Sequence, residues 1–139
     1  MTRTGRSGVL ERGLRACFDG DVDALPGLFT DDVSGWSPNM LVRSLDELKA
    51  VVAERDQSLS NVSLQIDTLN IVGSRGFAEY RVTAVFSGPF VIDESTVIEP
   101  NGQEILLGAA IAVDFAGDKI SAFRNYFDDV TLLGQMLAA

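Results

Sequence analysis

Residues 104–129 read "EILLGAAIAVDFAGDKISAFRNYFDD". Two runs of strand-forming residues, "EILLGAAIAVDF" and "KISAFRNYF", are joined by a short "AGD" turn and stopped by two carboxylates. Side chains alternate along a strand, so Phe123, Asn125 and Phe127 share one face, and Arg124, Tyr126 and Asp128 the other. The two phenylalanines mark the first set as core-facing. Asn125 then points inward, where its amide needs a partner or a ligand. On the preceding strand Ile105, Leu107, Ala109, Ile111 and Val113 form an apolar row. Gly108, Ala110 and Ala112 form an opposite face of small residues, suited to contact with a second sheet.

Downstream, Asp128 and Asp129 stand immediately before "VTLLGQML", a short apolar helix. A carboxylate there accepts from free backbone N–H groups and favours the positive helix end, so both acids read as a cap rather than a catalytic pair. Upstream, "VSLQIDTLNIV" (62–72) and "GFAEYRVTAVF" (76–86) are two more strands around the "GSRG" turn. Residues 88–103, with "EPNGQ", predict a ragged hairpin or a cover over a mouth.

Helical spacing governs the first third of the chain. Residues 9–19 predict a helix with Leu10, Leu14, Cys17 and Phe18 on one side, ended by Gly20. "DVDALPGLF" predicts a second, short helix that starts at Asp23 and holds Pro26 in its first turn. "VSGWSP" (33–38) is a short strand stopped by Pro38. Ser44 and Glu47 make a capping box, so a third helix runs to about residue 58, burying Leu48, Val51 and Val52. The expected architecture is α+β: a single domain over residues 1–139, with a curved, mainly antiparallel sheet wrapped around three N-terminal helices and a short C-terminal helix. Such an arrangement leaves a conical cavity between sheet and helices.

Composition narrows the chemistry. The chain has 139 residues, 46% apolar and 22% charged, with a formal charge of −9 and no basic cluster. That surface repels phosphate backbones and anionic lipids, so neither nucleic acid nor membrane is the expected partner. No stretch approaches the ~20 apolar residues of a membrane span. "MTRTGRSG" is not followed by an apolar segment, so no signal peptide is expected; with one cysteine, Cys17, the expected compartment is the cytoplasm. The chain contains no histidine. Its commonest general base and its usual transition-metal ligand are therefore missing, and no metal site is expected. No GxGxxG or GxxxxGK[ST] motif points to a cofactor either.

"FDGDVDALPGLFTDDV" near the start and "GDKISAFRNYFDD" near the end, with this order of elements, resemble the nuclear-transport-factor-two-like superfamily. Within it the chain is most similar to the SnoaL-like polyketide cyclases, relatives of ketosteroid isomerases and limonene epoxide hydrolases. The resemblance implies a cone-shaped barrel, a hydrophobic pocket and dimers packed through the sheet. It also implies functional positions, and most are changed. Gly13, Ser37 and Ile111 stand where ketosteroid isomerases carry a tyrosine donor, an aspartate base and an aspartate donor. The Arg-x-Asp of limonene epoxide hydrolases becomes Arg81–Thr83, and Asn125 replaces the aspartate of their final strand. Epoxide opening needs an acid and a base, which Thr and Asn do not supply.

Asn125 is thus the leading functional candidate, with Arg81 beside it and Glu79 as the nominated base. Thr83, Trp36, Ser37, Ile111, Phe123 and Phe127 are the candidate lining. Hydrophobicity turns Tyr80, Val82, Ala84 and Phe86 inward, whereas the resemblance turns Glu79, Arg81 and Thr83 toward the pocket. Two functions follow. One is an isomerase or cyclase on a hydrophobic, polyketide- or isoprenoid-like carbonyl compound, using neutral donors to stabilise an enolate. The other is a noncatalytic ligand-binding or accessory protein, homodimeric through its sheets.

Overall fold

In the computed structural model, which describes residues 3–138, helix α1 spans Gly5–Asp19. Met1, Thr2 and Ala139 lie outside the described residues, and with them the outermost ends of the expected domain and the start of the stretch read as lacking a signal peptide. Gly20 ends α1 at φ 73° and donates its N–H to the carbonyl of Ala16. The left-handed dihedral favours glycine here, and the Asp56 carboxylate lies in the space a Cβ would occupy.

The next segment corrects the expected second α-helix. Val22–Gly27 is a six-residue 3-10 helix, and Pro26 is its fifth residue rather than part of a first turn beginning at Asp23. Proline there has no N–H to continue the ladder, so the segment stays short. Strand β1 follows at Phe29–Ser37, earlier than expected, and turns at Pro38–Asn39 into β2, Met40–Val42. Helix α2 is Leu45–Ser58, and the Ser44 hydroxyl accepts the N–H of Glu47 at 3.1 Å. The Glu47 carboxylate in turn accepts the N–H of Arg43. The cap read from the sequence is present.

Four long strands and a small hairpin complete the chain. They are β3 (Leu59–Val72), β4 (Arg75–Phe86), the hairpin of β5 (Phe90–Asp93) and β6 (Thr96–Ile98), then β7 (Glu104–Ala116) and β8 (Lys119–Phe127). Helix α3 closes it at Asp129–Leu137, with the Asp128 carboxylate accepting the N–H of Thr131 at 3.1 Å. Capping is therefore what Asp128 does, and its pKa is held low by the hydrogen bonds from Thr131.

Six strands form one sheet in the order β2-β1-β8-β7-β4-β3; only the β1–β8 pairing is parallel. Helix α2 touches β1 and β2 at one edge of the sheet and β3 at the other. A flat sheet cannot bring both edges to one helix, so this one is curled around the helix pair. Register shifts in β3, one beside Asn61 at φ 52°, bend the strand in the manner of β-bulges. The cone is open, since β2 and β3 remain unpaired edges.

The core fills the concave side. Leu10 and Leu14 of α1, Leu48 and Val52 of α2, and Tyr80, Val82, Val113 and Phe123 of the sheet are all buried in one cluster. A smaller cluster beneath α3 joins Phe86, Ile105, Leu132 and Met136. Gly35 of β1 pairs with Phe123 of β8, and a Cβ there would collide with the Phe123 ring. Its absence lets that ring lie across β1 and wall the cavity.

Candidate functional site

Two small chambers lie between the helices and the sheet. The first, about 40 Å³, is walled by Leu14, Cys17, Tyr80, Ile111 and Phe123 among others. The second, about 50 Å³, reaches toward α3 and includes Val82, Ile105, Phe127 and Met136. Phe18, Arg55 and Asn125 line both, so these three form the partition. Arg55 also lines an outer cleft of about 440 Å³ beneath the β5–β6 hairpin, together with Glu54, Asp93 and Glu94. Neither chamber alone holds a six-membered ring, for which an apolar cavity of about 150 Å³ is known to suffice. A ligand of that size needs more room than either chamber offers, and Arg55 lines the outer cleft as well as both chambers.

Polar chemistry in the partition is simple. Asn125 is only 9% exposed, and its Oδ1 accepts the Tyr80 hydroxyl at 2.7 Å. Burial pushes the Tyr80 phenol well above its ordinary value, against the smaller opposing effects of the Asn125 hydrogen bond and the Arg55 charge. Tyr80 therefore stays protonated and must donate; the amide oxygen is its acceptor, which fixes the orientation of the amide. The Nδ2 group makes no hydrogen bond among the described residues and is not fully buried, and Asn125 lines both chambers. Arg55 adds a guanidinium, held 5.3 Å from the Phe18 ring. Burial pushes the Cys17 thiol up to about 11, opposed by the positive charge of Arg55. That thiol is a wall group and not a nucleophile.

No Asp or Glu lines either chamber among the described residues. The arrangement can hold an oxygen atom of negative character, through N–H groups in an apolar setting. It offers no carboxylate to take a proton from carbon.

The residues expected at the site divide into two groups. Asn125, Ile111, Phe123 and Phe127 all line the chambers. Arg81, Glu79 and Thr83 lie on the outer face of β4, opposite the buried Tyr80, Val82 and Ala84, so the resemblance misdirected them and the hydrophobic alternation did not. Arg81 makes a two-pronged surface ion pair with Asp67 at 2.9 Å, and Glu79 accepts from the Thr68 hydroxyl at 3.0 Å. Trp36 is 43% exposed and packs on Tyr126 outside the sheet. Ser37 is buried, but its hydroxyl is bonded to Asn39 and faces neither chamber.

Tyr80 and Arg55 are the site residues that sequence reasoning passed over. Both left a signal. Tyr80 alternates with Val82, Ala84 and Phe86, and Arg55 continues the stripe of Leu48, Val51 and Val52 at helical spacing.

Comparison with known proteins agrees with this architecture. Residues 10–123 match the family model of the SnoaL-like domain. A candidate SnoaL-like polyketide cyclase from Jannaschia sp. CCS1 superposes with a TM-score of 0.80 at 16% identity, covering 100% of this chain and 99% of that one. TsrD from Streptomyces laurentii gives 0.78 at 19% identity, covering 94% and 93%. An epoxide hydrolase of the limonene-hydrolase type from M. tuberculosis gives 0.71 at 13% identity, covering 95% and 89%. At these identities the likeness is one of fold. No curated protein matches the chain by sequence.

Proposed function

The chain belongs to the SnoaL-like domain family, and from that premise we propose that it binds a small hydrophobic carbonyl compound, polyketide- or isoprenoid-like, with the carbonyl oxygen at Asn125. The observation that carries this reading is the Tyr80–Asn125 hydrogen bond, which occupies Oδ1 and leaves the Nδ2 donors for a ligand. Apolar walls supply the rest of the affinity, and a single oriented amide supplies the discrimination.

Binding without carboxylate-driven proton transfer is the favoured role. Relatives by fold include a candidate cyclase and an epoxide hydrolase, chemistries that need proton transfer to or from the substrate. Here the chambers carry the Asn125 and Asn39 amides, a guanidinium, a phenol, a thiol and the Ser58 hydroxyl, and Glu79, the acid nominated as base, is on the other face of the sheet. A cyclase or isomerase reading keeps one support, since Asn125 and Arg55 together would stabilise an enolate. Its base would have to come from the ligand or from solvent.

A homodimer through the outer sheet face belongs to the same proposal. Trp36, Phe77, Leu106 and Tyr126 are all exposed on that side, around the flat strip of Gly108 and Ala110.

Calorimetric titration of alkylcyclohexanones against their methylidene analogues tests the binding role, because C=O and C=CH2 differ little in shape. The ketones should bind more tightly by about 1–2 kcal/mol. Equal affinity within each pair would remove the carbonyl from the proposal.

A further inference from the structure

Arg55 is the only charged residue that lines either chamber among the described residues, and it lines both as well as the outer cleft. Three arginines are half-buried: Arg6, Arg55 and Arg124. Arg6 donates to the carbonyls of Gly73 and Gly117, and Arg124 is paired with Asp114. Arg55 has no hydrogen bond or ion pair among the described residues, and its one specific contact is the face of Phe18. Glu54, Asp93 and Glu94 share the cleft with it, yet none pairs with it.

Arg55 is half-buried with no protein acceptor among the described residues, and its nitrogens stay accessible to solvent or to an incoming anion. The fork of N–H donors it presents matches a carboxylate in two-pronged geometry, better than it matches a lone carbonyl. Its field already reaches the chamber wall, where it opposes the upward shifts of the Cys17 thiol and the Tyr80 phenol. The acids of the cleft are on the solvent side, where mobile ions screen them within about 10 Å.

Resting on the carbonyl-binding reading above, we infer that the ligand is an oxo acid, whose carbonyl oxygen meets Asn125 Nδ2 while its carboxylate pairs with Arg55 at the partition. Arg55 is then the specificity-determining residue, selecting an anionic member from among hydrophobic carbonyl compounds.

The test compares 4-oxocyclohexanecarboxylate with its methyl ester and with 4-methylcyclohexanone, by calorimetry on the full chain at neutral pH. The acid should bind about tenfold or more tightly than the ester, the gain expected of a hydrogen bond to a charged group. Arg55→Met should erase that preference, so that acid and ester bind the variant equally, the apolar stem being retained. Arg55→Lys should keep part of it. An ester that binds as well as the acid, or an Arg55→Met variant that keeps the preference, overturns the inference. If 4-methylcyclohexanone still outbinds its methylidene analogue, the carbonyl reading survives that failure. If no ketone, acid or ester binds, both fall together. Should Arg55→Met fail to fold by circular dichroism, the acid-against-ester comparison on the parent protein decides alone.

Discussion

The Tyr80 hydroxyl donates to Asn125 Oδ1 at 2.7 Å, linking β4 to β8 across the intervening β7. Tyr80 is 1% exposed, so this bond has no solvent to replace it. Removing either partner leaves the other with a polar group in the core. Tyr80→Phe should therefore destabilise the protein by about 1–3 kcal/mol, and Asn125→Leu by a similar amount. Together they should cost less than the sum, because the double variant leaves neither group orphaned. Urea denaturation of the four proteins measures the coupling; strict additivity would mean that the bond contributes nothing.

Alkaline pH should weaken the fold through Cys17. Its ordinary pKa is 9.0 and burial raises it to about 11. Between those values the unfolded chain has lost the thiol proton while the folded chain keeps it, so stability is full below 9 and falls as pH rises toward 11. Cys17→Ala should flatten that part of the profile in thermal melts taken across the range. Iodoacetamide labelling at pH 8 should be slow in the folded protein and fast in urea.

Arg81 and Glu79 should be dispensable for binding. Their side chains pair with Asp67 and Thr68 on the outer face, and exposed pairs of this kind contribute little. Arg81→Ala and Glu79→Gln should bind ketones with the parent's affinity in calorimetry. A large loss in either would put the outer face of β4 back at the site.

The contrast between Arg81 and Asn125 shows what was legible in the sequence and what was not. Strand alternation located Asn125 correctly because two phenylalanines share its face. The same rule, applied to Tyr80, Val82, Ala84 and Phe86, also located the inner face of β4. Family resemblance pointed the other way at Arg81, and a one-residue difference in register reverses every side chain on a strand. The Ser44–Glu47 cap and the Asp128 cap were readable because capping is a local interaction. The position of Arg55 beside Asn125, and the bond from Tyr80, depend on how far the sheet curls around α2. That curl is set by bulges near Asn61 and between Ile66 and Thr68, which no short motif announces.

Pairing through the outer face of the sheet should be sensitive to bulk at its flattest point. Ala110 is exposed on β7 between Glu79 of β4 and Tyr126 of β8. If the proposed dimer forms, the parent should sediment as a dimer and Ala110→Arg as a monomer in sedimentation velocity. A variant that stays dimeric would move the interface elsewhere.

On the proposed function, Asn125 Nδ2 is the group that meets a ligand's carbonyl oxygen. This is tested most directly by following the Asn125 side-chain amide in ¹H–¹⁵N spectra, assigned with Asn125→Leu, during titration with 4-methylcyclohexanone and, separately, with its methylidene analogue. The ketone should move at least one Nδ2 proton downfield, as a new hydrogen bond does, and the analogue should not. Saturable ketone binding that leaves both Nδ2 protons in place, or shifts them no more than the analogue does, would remove Asn125 as the carbonyl's partner.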